Sequence, residues 1–141
     1  MLCTLAASHL YGKLFYCNFA LMNKKTLVLG ASENPSRYSN AAIKKLRAYG
    51  HEVVAVGRRA GKVNDVIIVK GTPHFEDVHS VTMYMSDQNQ KEFEEYILSL
   101  KPKRIIFNPG AENHFLAEKA VLNGIEPLDA CTLVMLSTGQ F

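Results

Sequence analysis

Short apolar runs alternate with amphipathic stretches along most of this chain. Thr26-Leu-Val-Leu29, stopped by Gly30, has the pattern of a strand buried on both faces. After a polar loop, Ser39 is placed to cap a helix reaching Tyr49. Ala42, Ile43, Leu46 and Tyr49 would share its buried side, with Gly50 as the stop. Val53–Val56 predicts a second strand, Val66–Val69 a third extended segment after a turn at Asn64-Asp65, and Val81–Tyr84 another strand. Asp87 opens a helix in which Phe93, Tyr96, Ile97 and Leu100 form an amphipathic stripe, and Pro102 ends it. Arg104–Phe107 is the next strand, broken at Asn108-Pro109-Gly110. A helix over Glu112–Asn123, closed by Gly124, precedes a last short strand at Ile125 and its neighbours.

Strands separated by helices of about 10–15 residues indicate right-handed crossovers and parallel pairing. The expected fold class is therefore α/β, a Rossmann-like three-layer α/β/α fold with an open, mainly parallel sheet. Ligands in such sheets sit beyond the carboxyl ends of the strands, which nominates the ends at Gly30, Val56, Tyr84 and Phe107 as one face. The chain has 141 residues, close to the commonest size of a single domain. Residues 1–21 read differently from the rest: they hold no acidic residue and precede Met22-Asn-Lys-Lys, which resembles an ordinary start. No basic segment precedes the apolar stretch and Lys13 interrupts it, unlike a signal peptide or a membrane span. We read 1–21 as an N-terminal extension or mis-assigned start, and 22–141 as the domain.

The formal net charge is only +3, but it is unevenly spread. Between Met22 and Phe75 ten Lys/Arg face three acids, whereas from Glu76 onward five face ten. A basic half in a near-neutral domain suits a small anionic ligand better than a long polyanion, so no nucleic-acid partner is expected. The three cysteines, Cys3, Cys17 and Cys131, have no zinc-ligand spacing and no disulfide framework. A reducing cytoplasm is the simplest compartment. The histidines show no spacing suited to metal binding or proton transfer, and Glu92, Glu94 and Glu95 read as the wet side of their helix.

The richest stretch joins the first strand to the first helix: Gly30-Ala-Ser-Glu-Asn-Pro-Ser-Arg-Tyr-Ser39. Backbone amides and the helix dipole at such a junction favour a phosphate. Gly30 and Ala31 permit close approach, Ser32, Ser36 and Ser39 offer hydroxyls, and Arg37 a charged fork. The loop is neither a dinucleotide fingerprint, since Ser32 and Pro35 stand where glycines are needed, nor a Walker loop. An NAD site would also need an acid after the second strand. Here Val56 leads into Gly57-Arg58-Arg59-Ala-Gly-Lys62, cations suited to a phosphorylated ribose in coenzyme A or NADP. A solvated basic turn explains the same residues. Asn108-Pro109-Gly110 ends a buried strand on the same face, either as a ligand corner or as plain topology.

Gly-Ala-Ser-x-x-Pro-x-Arg-Tyr-Ser, Gly-His-Glu-Val-Val-Ala-Val and strand-Asn-Pro-Gly-helix, in that order, resemble the small stand-alone CoA-binding proteins. These are similar to the CoA-binding domain of the succinyl-CoA synthetase α subunit. The resemblance covers about Lys24 to Phe141. It implies phosphates in the Gly30–Ser39 loop, the adenosine end at Val56–Lys62, and Tyr84 and Asn108–Gly110 along the remaining cleft. It also matches Cys131 to a cysteine common near the family's C-terminus, which would permit a mixed disulfide with the CoA thiol, although a lone Cys also reads as an inert core residue. The chain departs from the family's Pro-Val-Asn-Pro after strand two, reading Ala55-Val56-Gly57-Arg58, and from a frequent Gln at Asn108. The expected function is a binding module for CoA or an acyl-CoA, without catalytic residues, metal or membrane association. An NADP-binding reductase-like protein and an interaction subunit with a vestigial cleft are the alternatives.

Overall fold

The computed structural model describes residues 23–141. The expected extension over residues 1–21, with Cys3 and Cys17, lies outside the described residues. In chain order the elements are β1 (Thr26–Leu29), α1 (Tyr38–Ala48), β2 (Val53–Val56), β3 (Gly61–Val63), β4 (Val66–Val69) and β5 (Ser80–Met83). They continue with α2 (Asp87–Gln90), a 3₁₀ turn over Lys91–Phe93, α3 (Glu94–Ser99), β6 (Arg104–Phe107), α4 (His114–Leu122), β7 (Glu126–Asp129) and α5 (Thr132–Ser137). One seven-stranded sheet has the order β3-β4-β2-β1-β5-β6-β7. Every neighbouring pair is parallel except β3 with β4. The fold is the Rossmann-like α/β class.

Alternation along the central strand sends side chains into two cores. Leu27 and Leu29 join Met83, Ile105 and Phe107 against Ile97 of α3 and Leu116 of α4. Val28 points the other way, packing with Ala55, Ile68, Ile43 and Leu46 of α1, and Leu136 of α5. Two apolar faces on one sheet require a helical layer on each, which is why β1 is buried along its whole length.

Several sequence expectations change. Gly61–Val63 is a strand, antiparallel to β4 through the Asn64-Asp65 turn, with Val63 opposite Val66 and Asn64 at φ 52°. Three residues with one buried side chain carry too little apolar pattern to announce a strand. Helix α5 was not expected, because its six residues follow a strand without a clear break. Helix α1 starts at Tyr38 with Arg37 at the cap position, so Ser39 is buried inside the first turn instead of capping it. Tyr49, counted on the buried side, is the residue after the helix and is exposed. The helix expected from Asp87 to Leu100 is broken by the 3₁₀ turn, and the following one begins at His114 with Asn113 as its cap. Residues 70–79 return the chain from β4 to β5 without a helix, and on β4 Ile67 is exposed while Val66 and Ile68 are buried.

At the amino ends of the strands, opposite the nominated ligand face, lies a cluster of cations. Arg104 is buried; its Nε donates to Ser80 Oγ at 2.7 Å and its guanidinium lies 4.5 Å from the Phe141 ring. Lys24 donates through its backbone amide to His51 Nδ1 and through Nζ to the Phe141 carbonyl. His79 shares a 2.8 Å hydrogen bond with Ser80. Burial first, then the charges of Arg104 and Lys24, lowers the His79 pKa from 6.5 to about 4, and burial with the same cations lowers His51. A histidine depressed in the folded state supports folding above its unfolded pKa and opposes it when charged. Stability should therefore fall as pH drops from about 6.5 toward 4. Urea denaturation across that range should show a shallower fall in His79→Gln than in the parent.

Candidate functional site

The carboxyl ends of β1, β2, β5 and β6 open into a cleft of about 890 Å³, within the range of small-molecule sites. Its floor depends on backbones in close contact. Gly30, at φ +93°, sits against the Tyr84 carbonyl, where a Cβ would lie 2.8 Å from the oxygen. A Cβ on Gly57 would lie 2.3 Å from the Ala31 carbonyl oxygen. Gly30 and Ala31 both donate their amides to Val56 O, and Tyr84 donates to Leu29 O. The turns after β1, β2 and β5 are thereby drawn together at one point.

Above this floor the loop into α1 supplies unpaired donors. Arg37 N donates to Asn34 O and Ser36 N to Asn34 Oδ1, which folds the loop back on itself. Among the described residues, the amides of Ser32, Glu33, Tyr38 and Ser39 donate to no acceptor. Tyr38 and Ser39 open an 11-residue helix, so their amides add to the positive end of its dipole. The side chain of Asn40 anchors the loop by donating to the carbonyls of Ser32 and Glu33 at 3.0 and 3.1 Å. Glu33 reaches across to the β2–β3 turn, where its carboxylate accepts from Lys62 N at 2.7 Å over Gly61. That latch holds Arg58 and Arg59 beside the loop.

Of the residues proposed from sequence, Gly30, Ala31, Ser32, Arg37, Ser39, Val56, Arg58, Arg59, Tyr84, Asn108, Pro109 and Gly110 all line this cleft. Pro35, Lys62 and Cys131 do not. Pro35 is carried outward by the Asn34 turn and is exposed. Lys62 is exposed on β3 and contributes its amide to the Glu33 latch. Cys131 is half-buried at the cap position of α5, next to Thr132 behind the wall, and does not line the cleft. Reading the sequence missed Tyr38, Met85, Ser86, Asn89, Glu92 and Phe93 on the wall. Glu92 is exposed and Phe93 packs against the core, as the helical stripe placed them, and from the 3₁₀ turn both also face the cleft.

The CoA binding domain family matches residues 24–137. The chain belongs to that family. A crystal structure of an uncharacterized protein is 51% identical, with a TM-score of 0.83, and the match covers 84% of this chain and 98% of that one. A hypothetical protein from Pyrococcus horikoshii OT3 is 20% identical with a TM-score of 0.75, over 86% of this chain and 87% of that one. Acetyl-coenzyme A synthetase 1 of Ca. Korarchaeum cryptofilum is 19% identical with a TM-score of 0.62, over 77% of this chain and 26% of that one. The last two show a shared fold. No curated protein matches the sequence. Among the described residues of this CoA-binding domain, no group of three or more His, Cys, Asp or Glu is placed to hold a metal ion. No helix among them is long and apolar enough to cross a membrane.

Two buried amides hold the rear of the cleft. Asn108 donates from Nδ2 to Thr82 Oγ1 at 2.7 Å and to Met83 O at 2.9 Å, and its Oδ1 accepts from Thr132 N at 2.8 Å. Its polar atoms tie β6 to β5 and to the start of α5, so its side chain acts on the wall from behind. Gln90 donates to the carbonyls of Met85 and Ala111 and accepts from Asn113 Nδ2, while Asn113 Oδ1 caps α4 at Leu116 N. The Tyr84 hydroxyl is buried without a well-formed hydrogen bond. Burial raises its pKa to about 12, and the nearby Thr132 and Thr82 hydroxyls offset only part of that rise. Replacing Asn108 with leucine would leave the Thr132 amide, the Met83 carbonyl and the Thr82 hydroxyl without this partner. At about 1–3 kcal/mol for each unsatisfied buried group, partly relieved by repacking, we expect a loss of about 2–4 kcal/mol. Urea denaturation of Asn108→Leu measures it.

Proposed function

We propose that this chain binds coenzyme A or an acyl-CoA in the cleft as a module without chemistry of its own. The observation that carries the reading is the meeting of two donor sets: the unpaired amides at the mouth of α1, and Arg37, Arg58 and Arg59 along the same cleft. Phosphates at the loop, with the ribose phosphate toward Arg58 and Arg59, use backbone donors for position and guanidinium forks for charge. The strand order then leads the rest of the ligand across the β5 and β6 ends, past Met85 and Pro109.

The titratable groups on the wall favour binding over catalysis. Glu33 is committed to the Lys62 amide, and Tyr84 holds its proton to about pH 12. Among the described residues, no serine or tyrosine hydroxyl on the wall is hydrogen-bonded to a His, Asp or Glu side chain, the arrangement that activates a nucleophile. A reducing cytoplasm, where a CoA thiol and Cys131 both stay reduced, is the compartment this reading calls for.

A thermal-shift series with CoA, acetyl-CoA, NADP, NAD and ATP tests the assignment. CoA or acetyl-CoA should stabilise the protein by about 2.7 kcal/mol at a hundredfold excess over Kd. Arg58→Ala/Arg59→Ala should weaken CoA binding by about tenfold or more, the worth of charged hydrogen bonds at roughly 1.5–3 kcal/mol. A shift with NADP alone would transfer the assignment to a reductase-like protein. No response to any nucleotide would leave the interaction-subunit reading.

A further inference from the structure

We infer that the cleft sorts CoA thioesters by charge at the acyl end, favouring neutral or amine-bearing acyl groups over those ending in a carboxylate, with Glu92 as the specificity-determining residue. The inference rests on the CoA reading above.

Charge is unevenly placed along the wall. The segments after β1 and β2 contribute Arg37, Arg58 and Arg59, and their one carboxylate, Glu33, is bound to the Lys62 amide. The segments after β5 and β6 contribute no Lys, Arg or His to the wall. Their charged member is Glu92, exposed and, among the described residues, without a hydrogen bond or ion pair. A second carboxylate backs this end: Glu112 Oε2 accepts from Gly110 N at 2.9 Å, and Gly110 is itself on the wall. Nearby cations do not cancel them. Lys119 is paired with Glu94 at 2.5 Å, and Lys91 lies off the wall.

In the sheet, the segment carrying Glu92 follows β5, next to β1 and two strand spacings, about 10 Å, from β2, whose end carries Arg58 and Arg59. With CoA bound, Arg37, Arg58 and Arg59 face its phosphates, so their charge is taken up there and Glu92 is left to act on the acyl end. A ligand with its phosphates at the loop lays its thioester end toward Glu92, Phe93 and the Asn108–Ala111 corner. A carboxylate carried there meets like charge, while an ammonium meets opposite charge. Rejection by a like charge is a recognised source of specificity.

Butyryl-CoA, succinyl-CoA and 4-aminobutyryl-CoA share one acyl length and differ in the terminal group, so their relative affinities isolate charge. By calorimetry at low ionic strength, succinyl-CoA should bind about threefold to tenfold more weakly than butyryl-CoA, with 4-aminobutyryl-CoA the tightest. Glu92→Gln should bring the ratio of succinyl- to butyryl-CoA affinity within about twofold of unity, and Glu92→Lys should reverse the order. Because each ratio is taken within one variant, a uniform loss of affinity cancels. Equal affinities in the parent, or an unchanged ratio in Glu92→Gln, would overturn the inference while leaving CoA binding in place. Failure of CoA and all three thioesters to bind would remove both.

Discussion

The cleft depends on how closely the carboxyl ends of β1, β2 and β5 approach one another. Hydrogen bonds from Gly30 and Ala31 to Val56 O, and from Tyr84 to Leu29 O, close the gap between neighbouring strand ends. The absence of a Cβ at Gly30 and Gly57 allows it. With the chain brought to this point, residues 31–37 must pass over the ends of the strands before α1 can begin, which aims the mouth of that helix into the cleft. Without this approach the same serines and arginine would line an ordinary surface turn. The anion-binding potential of the loop is thus a property of the sheet below it as much as of its own residues.

The rear of the site is built differently. Asn108 and Gln90 are buried amides whose hydrogen-bonding groups go to backbone or side chains of the protein. Buried polar groups of this kind are costly when half-satisfied and specify one geometry when fully paired. They fix the spacing between β5, β6 and the helices that follow, so the wall carrying Glu92, Phe93 and Pro109 has a defined position. The front of the cleft keeps its donors free, whereas the amides of Asn108 and Gln90 at the rear are paired within the protein. That division is the one expected of a site in which charge is recognised at one end and shape at the other.

The layered fold was legible because its strands are short apolar runs and because Gly30, Gly50, Pro102 and Gly124 punctuate them. The loop after β1 and the basic turn after β2 were legible for a related reason, since both occupy strand ends that the α/β topology brings to one face. Strand β3 and helix α5 were not, being too short to establish a period. Phe93 was read as core-facing and Glu92 as exposed, as both are, but neither was read as cleft wall, because the 3₁₀ turn that carries them has no signature in the sequence. Asn108 was read either as a ligand corner or as plain topology; it lies on the cleft wall, and what its side chain binds depends on α5, an element with no visible signature. These elements share one property: each is too short for a local pattern to mark it.

The charge asymmetry noted along the chain acquires a spatial meaning from strand order. The basic stretch up to Phe75 contributes β1 to β4, and the acidic stretch from Glu76 onward contributes β5 to β7. In the sheet these two sets do not interleave: β3, β4, β2 and β1 lie together on one side, and β5, β6 and β7 on the other. A division in sequence therefore becomes a division across the molecule, with its boundary between β1 and β5, directly beneath the cleft. Had the chain alternated strands between the two halves of the sheet, the same residues would have produced mixed charge on both walls. Because it switches sides once, the cleft lies along a gradient of potential, with guanidinium groups at one wall and a carboxylate at the other. The topology that creates a crevice at the switch point also orients the field within it.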